Sequence, residues 1–194
     1  SPPYSPPAAS KRVVAINGQG VAPRAATIDW FSERGYGLIP GDGLIAATVP
    51  SQPDNWITAL TQFGTMSLET VLSPALDLAR NGFPMYHGLR TAIDKCRDRF
   101  EAEWPGSAAI YLPGGRVPRW GENFVNRAWA DTMELLVRAE RSHVGQGRSR
   151  ALAAARDVFY RGHVAERIAE FCDRTTVRDA TGGEYGGLLR DDDL

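Results

Sequence analysis

From Ser51 onward, apolar residues recur at steps of three and four, the spacing that lines one face of an α-helix. "SQPDNWITALTQFG" predicts a helix with Ser51 as its cap, a proline in the first turn, Trp56, Leu60 and Phe63 on one stripe, and Gly64 as its stop. "SLETVLSPALDLARNGFP" repeats that design between Ser67 and Asn81-Gly82, and Pro74 is expected to divide or kink it. A third run turns Leu89, Ile93, Cys96, Phe100 and Trp104 toward a core. A long helix across Phe124 to Ser142 presents Val125, Trp129, Met133, Leu136 and Val137, and "HVGQGRS" breaks it. Ser149 is expected to cap "RALAAARDVFYRG", and "HVAERIAEF" gathers Val164, Ile168 and Phe171 on a last helix.

The pattern before Ser51 is different. "RVVAING" has β-branched residues ending at Asn17-Gly18, which predicts a strand over Val13 to Ile16 running into a tight turn. Thr27 opens a short helix, "IDWFSERG", with Ile28 and Phe31 on one face and Gly35 at its end. "GLIAATVP" reads as a second buried strand stopped by Pro50. Gly and Pro make Pro105 to Glu122 an irregular excursion with its sharpest turn at Gly114-Gly115, and Asp173 to Gly187 a polar tail. The opening "SPPYSPPAAS" makes residues 1–12 a Pro-rich extension or linker, with the folded part at 13–194. These elements make a helix-rich α/β (α+β) segment.

A length of 194 residues with 43% hydrophobic residues suits one globular domain. The net charge of -1 supplies no field to draw nucleic acid or an anionic membrane, so neither is expected as a partner, although all basic residues but Lys11 and Lys95 are arginine. No run reaches the roughly 20 apolar residues that a membrane helix needs. Cys96 and Cys172 belong to no C-x-x-C pair, and a buried free thiol is the expectation for them; the compartment stays open. His87, His143 and His163 stand apart without ligands at metal spacing, so neither metal nor cofactor is expected. Asp191, Asp192 and Asp193 could hold a hard cation, but the preferred reading is a solvated acidic turn. No serine stands in a nucleophile elbow and none is placed beside a base.

Several segments, taken in order, resemble the γ-glutamyltransferase family. Val49-Pro50, Phe63-Gly64-Thr65, Val71-Leu72, Pro74-Ala75, Leu78-Ala79 and Gly82-Phe83-Pro84 follow the family's V-P, F-G, V-L-x-P-A, L-A and G-F-P steps. "NRAWADTMELL", "DVFYRGHVAERIAEF" and "GGLLRDDDL" continue the series. The resemblance implies an N-terminal-nucleophile hydrolase with an αββα sandwich, of which residues 13–194 would be part of the large subunit and mostly its helical lobe. It further implies a self-cleaving precursor, a small subunit as partner in a heterodimer or heterotetramer, and a catalytic threonine on that small subunit, with no catalytic residue in this chain.

The resemblance also gives a role to "NGQGVAPRAAT". Typical transferases of the family read D-G-R-E-T-A-P here, with the arginine holding the α-carboxylate of a γ-glutamyl group. This chain has Gln19 at that position, and Arg24 lies just beyond Pro23. Gln19 and Arg24 are therefore the candidate substrate-binding residues, and for Arg24 the alternative is a surface or structural ion pair. The expected substrate is a small amide, γ-glutamyl or related. A cephalosporin-acylase-like hydrolase and a catalytically silent relative or scaffold are the other readings.

Overall fold

The computed structural model describes residues 13–194, and the expected Pro-rich extension lies outside them. Eight helices carry the described chain: α1 (Ile28–Ser32), α2 (Gln52–Gln62), α3 (Leu68–Asn81), α4 (His87–Ala102), α5 (Pro105–Tyr111), α6 (Arg127–His143), α7 (Arg148–Tyr160) and α8 (His163–Arg174). Two small antiparallel ribbons join them. In one, β1 (Phe83–Pro84) pairs with β2 (Asn123–Phe124), and in the other, β3 (Thr176–Arg178) pairs with β4 (Glu184–Gly186).

Local capping explains where several helices start and stop. Thr27 accepts the Trp30 N–H at 3.1 Å and Ser67 accepts that of Thr70 at 3.1 Å, each satisfying an orphan donor of a first turn. Gly35 and Gly82 follow α1 and α3 with positive φ angles of 79° and 94°. Pro74 sits inside α3, which continues through it from Leu68 to Asn81 rather than dividing. Ser51 does not cap α2, and α7 starts at Arg148 with Gly147 before it, so Ser149 is an ordinary first-turn residue and not a cap.

The main core lies where α6 packs against α3 and α7, with α2 alongside. Leu60, Leu68, Leu72, Met133, Leu136, Leu152 and Phe159 are buried there. A second cluster of Met85, Ile93, Leu112 and Phe124 fills the space between α4, α5 and the β1–β2 ribbon. A third, around Phe31, Ile45 and Leu188, ties α1 to the segment after β4.

The fold departs from the helical stripes read in the sequence at their edges. Phe63 is 58% and Phe171 50% exposed, while Ile28, Cys96 and Trp129 also face outward. Each lies at the end or flank of an apolar stripe whose central residues already fill the cores. The two expected strands are absent as strands. Val13 to Ile16 has no sheet partner among the described residues, and Val13 is 95% exposed, because a strand's stability is non-local. "GLIAATVP" instead forms a 3-10 turn over Leu44–Ala46 and then an extended run. Conversely, the excursion after Trp104 contains α5, and the polar tail contains the β3–β4 ribbon. No helix among the described residues is long and apolar enough to cross a membrane.

Candidate functional site

The loop from Asn17 to Arg24 is pinned by polar contacts along its length. The Asn17 side chain accepts the Gln19 N–H at 3.0 Å, so Asn17-Gly18 makes an Asx-type bond instead of closing a hairpin. The Gly18 carbonyl accepts from the Ser51 hydroxyl, and from the Gln52 amide at 3.4 Å. Val49 N–H donates to the Val21 carbonyl at 2.9 Å. Glycine is required at residue 20, where a methyl group would strike the Val49 carbonyl, whereas one on Gly18 would only displace the end of the Asn55 side chain. Pro23 is buried, whereas Gln19 is exposed and its side chain makes no hydrogen bond among the described residues.

Arg24 is engaged at two points. Its guanidinium meets Asp192 at 2.6 Å, both side chains being largely exposed, and its backbone N–H donates to Asp193 Oδ1 at 2.9 Å. The other oxygen of Asp193 accepts the Arg190 N–H at 2.9 Å. Asp191–Asp193 form a single 3-10 turn. The acidic run is thus the counterpart of the loop, a use its composition did not disclose. Gln19 and Arg24 share one loop, but only Gln19 offers a side chain without a protein partner.

Other polar contacts brace the elements around the loop. Tyr160 Oη donates to the Pro50 carbonyl at 2.6 Å and accepts the Asp54 N–H at 3.1 Å, which fixes α2 just behind the loop; burial raises its pKa. Arg148 reaches the Leu60 and Gly64 carbonyls at 2.7 and 3.0 Å and closes the end of α2. Cys172 is buried, and desolvation raises its pKa, so it is a poor nucleophile. His143 Nδ1 bonds the Ala139 carbonyl at 2.9 Å, and His163 lies 3.9 Å from Glu166. Among the described residues no group of three metal-ligating side chains converges.

Several clefts open among the described residues, and two of them flank α8. One of about 640 Å³ lies between α8 and the turn at Arg190–Asp192, and its walls include Glu166, Glu170 and Asp173. The other, about 620 Å³, is apolar and lined by Leu44, Trp104, Ile110, Phe171 and Val177. Neither includes Gln19.

Comparison with known proteins completes the picture. Residues 7–194 match the family model described as Gamma-glutamyltranspeptidase. The chain is similar to the Glutathione hydrolase-like YwrD proenzyme of Bacillus subtilis, with 33% identity over 165 residues, covering 82% of this chain and 27% of that protein. It superposes on the solved structure of LmbA2991HD with a TM-score of 0.83 and 36% identity, over 91% of this chain and 30% of that one. For the cephalosporin acylase from Bacillus halodurans the TM-score is 0.70 at 28% identity, with coverage of 91% and 30%. The chain therefore spans under a third of the length of these proteins. Its architecture is that of the N-terminal-nucleophile hydrolases, in the mostly helical lobe of the large subunit.

Proposed function

The chain belongs to the gamma-glutamyltranspeptidase family, and from that premise we propose that it is part of the large subunit of a self-processing amidohydrolase or acyltransferase. A threonine or serine beginning the small subunit would be the nucleophile, its own α-amine the base. Attack on an amide carbonyl would expel the amine and leave an acyl-enzyme, which water or a second amine then resolves. This chain's task is to shape the pocket. The observation that carries the reading is the loop itself: its backbone is pinned along its length while the Gln19 side chain projects without a hydrogen-bond partner among the described residues, which leaves it available to a substrate.

Gln19 also favours one branch of the family's chemistry. A neutral amide donates a hydrogen bond but cannot neutralise a carboxylate, so an acylase-like substrate suits this loop better than a γ-glutamyl donor held by its α-carboxylate. Arg24 is directed away from that task by its pairing with Asp192.

Intact mass and terminal sequencing of the purified full-length product test the proposal. Two polypeptides from one precursor, the second beginning with Thr or Ser, are expected. An uncut chain, or a companion beginning with a residue incapable of attack, would leave only a silent scaffold. Glutaryl and γ-glutamyl anilides assayed side by side then separate acylase from transferase, and Gln19→Ala is expected to change KM for the preferred one without altering self-cleavage.

A further inference from the structure

Two side chains outside the loop hold it from opposite ends. Ser51 gives its hydroxyl to the Gly18 carbonyl and makes no capping bond to α2. Asp193, 169 residues away in sequence from Arg24, accepts the Arg24 N–H through Oδ1 and the Arg190 N–H through Oδ2, both at 2.9 Å. Between these two anchors lie Gln19, Gly20, Val21, Ala22 and the buried Pro23. One carboxylate thus welds the loop to the turn after Leu189, and one hydroxyl welds it to the start of α2. Neither anchor is backbone-to-backbone, so each depends on the identity of a side chain.

We propose that Ser51 and Asp193 are positioning residues that set the direction of Gln19 toward substrate. The proposal rests on the reading of Gln19 as a substrate contact. Without these two contacts the loop would keep its Val21–Val49 bond and Pro23, the local Asn17–Gln19 bond, the long Gln52–Gly18 bond and the exposed Arg24–Asp192 pair, a looser set that lets Gln19 sample more orientations. Substrate binding would then have to order it, which raises KM and leaves the chemical step on the partner subunit intact.

The test uses the processed two-chain enzyme. Ser51→Ala and Asp193→Ala are compared with the conservative Ser51→Thr and Asp193→Asn by hydrogen exchange and by kinetics on the preferred anilide. Backbone amides of 18–24 are expected to exchange at least about tenfold faster in both alanine variants while those of α6 and α7 are unchanged. KM is expected to rise about tenfold with kcat within about twofold, and Ser51→Thr is expected to restore both readouts because it retains the hydroxyl. Unchanged loop exchange in the alanine variants overturns the anchoring. Faster exchange with unaltered KM overturns the positioning role. The premise fails separately, if Gln19→Ala is kinetically silent.

Discussion

Glu140 of α6 accepts the backbone N–H of Leu68 at 2.8 Å through one carboxylate oxygen and that of Glu69 at 2.9 Å through the other. A buried side chain from one helix thus completes the amino terminus of another, where backbone donors and the helix dipole both favour a negative charge. Glu140→Ala would strand the buried Leu68 donor at the edge of the main core and leave the part-buried Glu69 donor unpaired. We expect it to destabilise the protein by about 2–4 kcal/mol and Glu140→Gln by less, since the amide keeps one acceptor. Denaturant unfolding of the three proteins checks the order, and equal midpoints would show that the contact carries no net stability.

That contact also shows what a sequence can and cannot disclose. Thr27, Ser67, Gly35 and Gly82 act within three or four residues of themselves, so the ends of α1 and α3 were readable by eye. Glu140 left a fainter trace: it falls on the row of Met133, Leu136 and Val137, where a carboxylate needs a reason. Asp193 and Ser51 left none, because their partners are loop groups chosen by tertiary geometry. The β-branched run at Val13 fails for the opposite cause. Its composition suits a strand, yet pairing requires a neighbour that the described residues do not provide. The loop itself was legible through the family resemblance, and the tie between Arg24 and Asp192 was not.

Asp179 offers a test by pH. Burial alone would raise its pKa, but bonds from Thr181 Oγ1, Tyr36 Oη, Thr181 N–H and Gly183 N–H outweigh it and hold the value at about 2. A depressed folded-state value means that this carboxylate's ionisation stabilises the fold fully above the ordinary value of 3.8, and the contribution is lost as pH falls through about 2. Asp179→Asn should therefore be less stable than the parent at neutral pH. The gap between their melting temperatures should narrow as pH falls from 4 toward 2. A gap independent of pH would contradict the assignment.

Gly20→Ala addresses the loop without touching its anchors. The added methyl collides with the Val49 carbonyl, a backbone atom that cannot swing aside. The loop must move away from the extended run before α2 and give up its bond to Val49. Because the site is at the surface, unfolding should shift by no more than about 1–2 kcal/mol. KM for the preferred amide should nonetheless rise by about tenfold or more. Steady-state kinetics beside thermal unfolding decide the matter, and wild-type KM in a folded variant would remove this loop from the pocket.

Gln19→Arg tests the charge argument in the gaining direction. If Gln19 stands where the family's transferases place a carboxylate-binding arginine, the substitution returns a cation to a backbone already arranged for it. Two acyl donors of equal length, one ending in a carboxylate and one in a methyl group, then report the effect by difference. Charge-assisted hydrogen bonds to a carboxylate are worth about 1.5–3 kcal/mol, so preference for the anionic donor should rise by about tenfold or more. Arg24 is present in both parent and variant, paired with Asp192, so the comparison between them isolates the charge at residue 19. If releasing it by Asp192→Asn alone produced the same preference, Arg24 rather than residue 19 would be the carboxylate-facing position.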